Sequence, residues 1–117
     1  MREILASVKR GHSRAKLAFD IYVHRLQAGI GAMVAVLGGI DVLVFSAGVG
    51  ENSTEVRAAV CKPLIFLGLK LDDAANVQRA PDADIATPDS AVRILIIRAQ
   101  EDWAIAKECW QLTQVFS

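Results

Sequence analysis

Residues 41–57 read DVLVFSAGVGENSTEVR: a short apolar run of β-forming residues, a glycine-rich turn, then a new helical pattern. This order calls for layered α/β packing, because an apolar run without alternation suits a strand covered on both faces. In the turn, Gly48 and Gly50 allow a bound group or another backbone to come close, with no Cβ in the way. The helix behind it would aim free amides back at the turn, a natural seat for phosphate or ribose oxygens. A third glycine is missing, so the turn is no dinucleotide fingerprint, and no Gly-Lys-Ser/Thr follows to make a Walker loop. On pattern alone, close packing explains such glycines more simply than a ligand does.

The flanking sequence completes the layers. Residues 2–10 predict a helix with apolar Ile4, Leu5 and Val8, closed by Gly11. From Ser13 to Gly38, apolar Ala15, Phe19, Tyr22, Leu26, Ile30, Met33 and Leu37 recur at spacings of three and four along a long helix. Gly29 and Gly31 interrupt it at about 1 kcal/mol each relative to alanine, which predicts another backbone packed against them. Strand 41–46 and the GVGEN turn at 48–52 follow. A helix over 53–67 comes next, capped by Asn52 with Glu55, bearing a Val56, Ala59, Val60, Leu64, Leu67 stripe, and Pro63 within it is expected to kink or end it. Leu69–Leu71 reads as a short strand, 72–90 as a polar connector, 92–97 as a second buried strand and 101–113 as the last helix. Two or three strands with packed helices leave an edge and much of the long helix uncovered. The 117 residues are thus expected to be part of a larger domain, or to need a partner.

Composition excludes several functions. Thirteen basic residues balance thirteen acidic ones with no basic block, which argues against nucleic acid or an anionic membrane as main partner. Hydrophobic residues make up 53% and aromatics only 6%, so Ala, Val, Ile and Leu build the core, as helices on a parallel sheet require. The start, MREILASVKRGH, has no apolar signal region, and the nearly uncharged stretch 26–40 is short for a span. Cys61 and Cys109 lack metal-ligand spacing and are expected to be reduced, buried thiols of a cytoplasmic protein.

The string GGIDVLVFSAGVGENSTEVR resembles the signature of the acetate kinase family, in which a strand ends in a Gly-x-Gly-Glu-Asn turn lying against the nucleotide. The resemblance extends to RAKLAFDIYVHRLQAGIGAMVAVLGG, VCKPLIFLGLKLD and VRILIIRAQEDWAIAKE, nearly the whole chain. It implies a partial domain of the acetate and sugar kinase, Hsp70 and actin (ribonuclease H-like) architecture, in which two related domains close on ATP. Position by position, it implies nucleotide contacts from Gly48, Val49, Gly50, Glu51 and Asn52, and from Arg2, which matches the arginine of the family's Asp-x-Arg segment. Glu101 matches the glutamate that helps to hold Mg²⁺; on pattern alone it is a first-turn acid that suits the helix dipole. Ser46 and Ala47 stand where the family usually has Thr and Gly, which are small changes in size. RAQEDW replaces a more usual Pro-Thr-Asn-Glu-Glu-Leu, and Pro63 is unusual.

The resemblance further implies ATP-dependent phosphoryl transfer to acetate, giving acetyl phosphate and ADP, reversibly. The family's acid-binding and transfer groups match nothing in these residues. No catalytic residue is therefore expected here, and His12 and His24 read as surface or packing residues. The implied partners are the nucleotide, acetate or acetyl phosphate once the upstream segment is present, and a second copy or a complementing chain. A non-catalytic interaction module, with residues 13–37 as the pairing surface, and a propionate or butyrate kinase relative are the alternatives.

Overall fold

The structure, a computed structural model, describes residues 1–78 and 80–115; Arg79 of the expected connector and the last two residues lie outside that range. Helix α1 (Arg2–Lys9) turns at Gly11 (φ +85) into α2 (Ser13–Leu37), which ends at Gly38 in the left-handed region. Strand β1 (Val42–Ser46) leads through α3 (Ala47–Asn52) into α4 (Thr54–Cys61) and a 3-10 helix (Lys62–Leu67). Then come α5 (Asp73–Gln78), β2 (Ala83–Asp84), β3 (Arg93–Ile97) and α6 (Glu101–Val115). Among the described residues the strands form one sheet in the order β1-β3-β2. β1 and β3 run parallel, Val42 opposite Arg93 through Ser46 opposite Ile97, while β2 is antiparallel to β3. This is the expected α/β layering.

Several elements differ from expectation. The GVGEN segment is a short helix, not an open turn. Ser53, not Asn52, caps the next helix: its hydroxyl accepts from the Val56 amide at 3.3 Å. Of the two outcomes expected at Pro63 the helix ends rather than kinks: α4 stops at Cys61, and Pro63 sits at the start of the 3-10 segment, where a missing N–H costs nothing. The connector contains α5 and β2, and Leu69–Leu71 makes only isolated bridges, to Val92 and Ala86. Among the described residues nothing approaches within 4 Å of where a Cβ would stand on Gly29 or Gly31, so the close backbone expected there is not supplied.

The strands are not covered on both faces. Leu43, Phe45, Ile94 and Ile96 turn into a core shared with Val56 and Val60 of α4 and Val23 of α2. The opposite face is open, with Val44 50% exposed and Val42 and Ile97 nearly as bare. The outer edge of β1 carries no strand among the described residues. Every residue of α6 is exposed. The accessible surface is 8047 Å², against about 6,200 Å² for a compact chain of this mass. The radius of gyration is 17.3 Å, against about 13 Å for a compact domain of this length. The bare sheet face and the uncovered α6 contribute to this excess.

The two cysteines diverge. Cys61 is buried, and burial pushes its thiol from the ordinary 9.0 up to about 12, opposed in part by the nearby Arg57 charge. Cys109, expected to be buried, is instead exposed, because no other element packs on α6 among the described residues. A chromogenic disulfide reagent should therefore titrate one thiol in the folded chain and two after denaturation. Because the folded state holds the Cys61 proton more tightly than the unfolded state, the contribution is complete below pH 9. It is then lost as pH rises towards 12. Equilibrium unfolding of wild type and Cys61→Ala compared across that range should show the wild type losing more stability.

Candidate functional site

Four of the expected site residues, Arg2, Gly48, Val49 and Asn52, line one cleft of about 580 Å³ between α1 and α3. Arg2, Leu5 and Lys9 stand on one wall; Gly48, Val49 and Asn52 stand on the other. α1 presents Arg2 there because its Ile4, Leu5 and Val8 side is half-buried, which leaves the polar residues to solvent and cleft. At the far end, Lys9 Nζ and Glu55 Oε1 approach to 3.6 Å, an exposed ion pair between the last turn of α1 and the first turn of α4.

The glycine-rich sequence AGVGEN has poor helix propensity, and local bonds hold it helical. Asn52 Nδ2 donates to the Gly48 carbonyl at 2.7 Å, and the Ser53 amide donates to the Val49 carbonyl at 2.9 Å. Gly48 and Gly50 have opposite surroundings. A Cβ on Gly48 would meet nothing within 4 Å, so Gly48 leaves free space on the cleft wall. A Cβ on Gly50 would lie 3.3 Å from the Phe45 carbonyl carbon, so Gly50 lets α3 pack on β1. Glu51 likewise does not line the cleft; its Oε1 accepts from the Ala99 amide at 2.8 Å. Of the expected nucleotide residues, the cleft thus gathers Arg2, Gly48, Val49 and Asn52, with Gly50 and Glu51 behind them.

Ala47 enters α3 at φ +59, a left-handed conformation that glycine adopts freely and alanine does not. The change from the family's usual glycine is therefore small in size but not in conformation. Ala47→Gly is expected to stabilise the chain by about 0.5–1 kcal/mol, read as a rise in the urea midpoint with an unchanged slope.

Arg57 was not legible as a site residue. It is 0% exposed. Its Nη1 donates to the Gly50 and Glu51 carbonyls at 2.8 and 2.9 Å, and its Nε donates to Asn76 Oδ1 at 2.7 Å. Its Nη2 donates to the Asn76 carbonyl at 2.9 Å, while Asn76 Nδ2 donates to the Thr54 carbonyl at 3.2 Å. One guanidinium thereby ties the end of α3 to α4 and α5. The signal was present: Arg57 falls beside Val56 and one turn before Val60 and Cys61, a charge on the buried side of its helix.

Glu101 opens α6, with Asp102 beside it, both exposed and outside the cleft lining. No group of three or more His, Cys, Asp or Glu side chains that could hold a metal occurs among the described residues. An exposed carboxylate alone fits a magnesium ion that keeps water and phosphate oxygens in its shell; it does not fit an all-protein cage.

The sequence profile of the Acetokinase family matches residues 1–107. The chain belongs to the acetokinase family. It is 62% identical over 112 residues to the acetate kinase of Nostoc punctiforme, covering 96% of this chain and 28% of that protein. The crystal structure of Porphyromonas gingivalis acetate kinase superposes with a TM-score of 0.84 at 36% identity, over 96% of this chain and 28% of that one. A propionate kinase from Francisella tularensis superposes with a TM-score of 0.81 at 31% identity, over 92% of this chain and 27% of the other. The chain thus spans about 28% of the length of such relatives, and its fold is a partial domain of the acetate kinase fold. No helix among the described residues is long and apolar enough to cross a membrane.

Proposed function

We propose that this chain is the nucleotide-holding portion of an acetate kinase. The complete enzyme would transfer the γ-phosphoryl group of ATP to acetate, giving acetyl phosphate and ADP, and would run the reverse reaction, in the cytoplasm. The observation that carries this reading is the cleft itself, with a cationic Arg2 facing the open Gly48 wall and the Asn52 amide. Gly48 and Val49 offer backbone to a flat nucleoside, Asn52 keeps α3 folded against it, and Arg2 supplies positive charge for phosphate or a stacking plane for a base. Glu101 would hold Mg²⁺, whose bound form neutralises phosphate charge. Gly50 and Glu51 serve the same site from behind. Phosphoryl transfer needs further positive charge at the moving group. The chain alone is therefore expected to be inactive. Joined with the preceding part of an acetokinase polypeptide, it should form acetyl phosphate in a Mg²⁺-dependent way, measured by hydroxamate trapping. A well-folded complex with no such activity would overturn the proposal.

Similarity to a propionate kinase keeps propionate as an alternative acid, and butyrate is the third to be compared. Parallel trapping with the three acids distinguishes them. The open sheet face and bare α6 favour a second reading, a non-catalytic pairing module that forms a homodimer. A strictly monomeric chain at micromolar concentration in sedimentation equilibrium would count against it.

A further inference from the structure

The link between β3 and α6, residues 98–100, is held by two carboxylates from distant parts of the chain. The Arg98 amide donates to Asp82 Oδ1 at 3.1 Å, and the Ala99 amide donates to Glu51 Oε1 at 2.8 Å. Asp82 reaches it from the turn before β2, at φ +55. Glu51 reaches it from α3, and its own carbonyl is anchored by Arg57 at 2.9 Å. The carboxylate therefore extends from a fixed base. One residue later the Gln100 carbonyl accepts from the Ala104 amide at 3.0 Å and starts α6. Because every residue of α6 is exposed, packing along the helix does not set its direction. The bonds at its root do.

We propose that Glu51 is a positioning residue: its carboxylate holds the Ala99 amide and couples the cleft-wall helix α3 to the direction in which α6, with Glu101 at its start, leaves the sheet. The importance of Glu101 rests on the function proposed above; the coupling does not. The geometry needs only an acceptor at the end of the Glu51 side chain. Glutamine keeps that acceptor and loses the charge, whereas alanine loses both. A Glu51 that acted only on phosphate or metal through its charge would leave the Ala99 amide unchanged in both variants. A Glu51 that positions the link is rescued by glutamine.

The test uses the whole chain without nucleotide, so failure of the cleft to bind Mg-ATP leaves it unaffected. Hydrogen exchange at the Ala99 amide is followed by NMR, and depolarisation of tryptophan fluorescence reports α6, which carries both tryptophans, Trp103 and Trp110. Glu51→Ala is expected to speed Ala99 exchange about tenfold or more and to hasten depolarisation. Amides in β1 and α4 should stay protected, and Glu51→Gln should resemble wild type. Unchanged Ala99 exchange in Glu51→Ala, or Glu51→Gln failing as badly as alanine, would overturn the proposal. Should the alanine variant unfold, Ala99 exchange in folded Glu51→Gln decides: protection kept supports the coupling, and protection lost refutes it.

Discussion

Arg57→Leu is expected to destabilise the chain by about 3 kcal/mol or more, a large share of the ~5–15 kcal/mol of an ordinary domain. Leucine fills part of the volume but leaves the Gly50 and Glu51 carbonyls and the Asn76 side chain without the donors they now use. An abandoned buried acceptor such as Asn76 Oδ1 costs about 1–3 kcal/mol, and the part-buried Gly50 and Glu51 carbonyls add to that. Arg57→Lys keeps the charge but not the planar fork that reaches α3 and α5 together, so it should recover only part of the loss. Urea unfolding followed by circular dichroism gives the order wild type, lysine, leucine. Equal midpoints for wild type and leucine would mean that the buried guanidinium is not what holds α3.

The second large effect separates the two glycines of AGVGEN. Gly50→Val pushes branched carbons into the Phe45 backbone, where even a Cβ would sit at 3.3 Å. It should destabilise by about 1–3 kcal/mol through overpacking. Gly48→Val meets open space and gains helix propensity, so its unfolding midpoint should equal or exceed that of wild type. If both variants lost stability alike, Gly48 would be a packing glycine and its wall would not be open.

Much of this fold was legible in the sequence because its long elements repeat strong patterns. The α2 periodicity, the apolar runs at β1 and β3, and the terminating glycines gave the layers almost to the residue. The failures have physical causes. VLVF lacks alternation, as a strand buried on both sides would, yet its second face is bare here. Periodicity reports the burial a segment is built for, whichever residues supply the cover. AGVGEN reads as a turn because glycine disfavours helix, but bonds from Asn52 and Arg57, invisible to local propensity, hold it helical. At the site, Arg2 and the Gly48–Asn52 segment could be named through family resemblance, and the cleft brings four of those six residues together. The outward turn of Glu51 depends on a contact 48 positions away, at Ala99, which no spacing rule contains.

The most direct measurement of the nucleotide-holding role is a calorimetric titration of the chain with Mg-ATP, run beside Gly48→Val. A half-site on the α1–α3 cleft predicts saturable heat for one nucleotide per chain in wild type, and none in a Gly48→Val chain that is equally well folded. Saturable binding that Gly48→Val leaves intact would place the nucleotide elsewhere. No binding by folded wild type would contradict a working half-site in these residues.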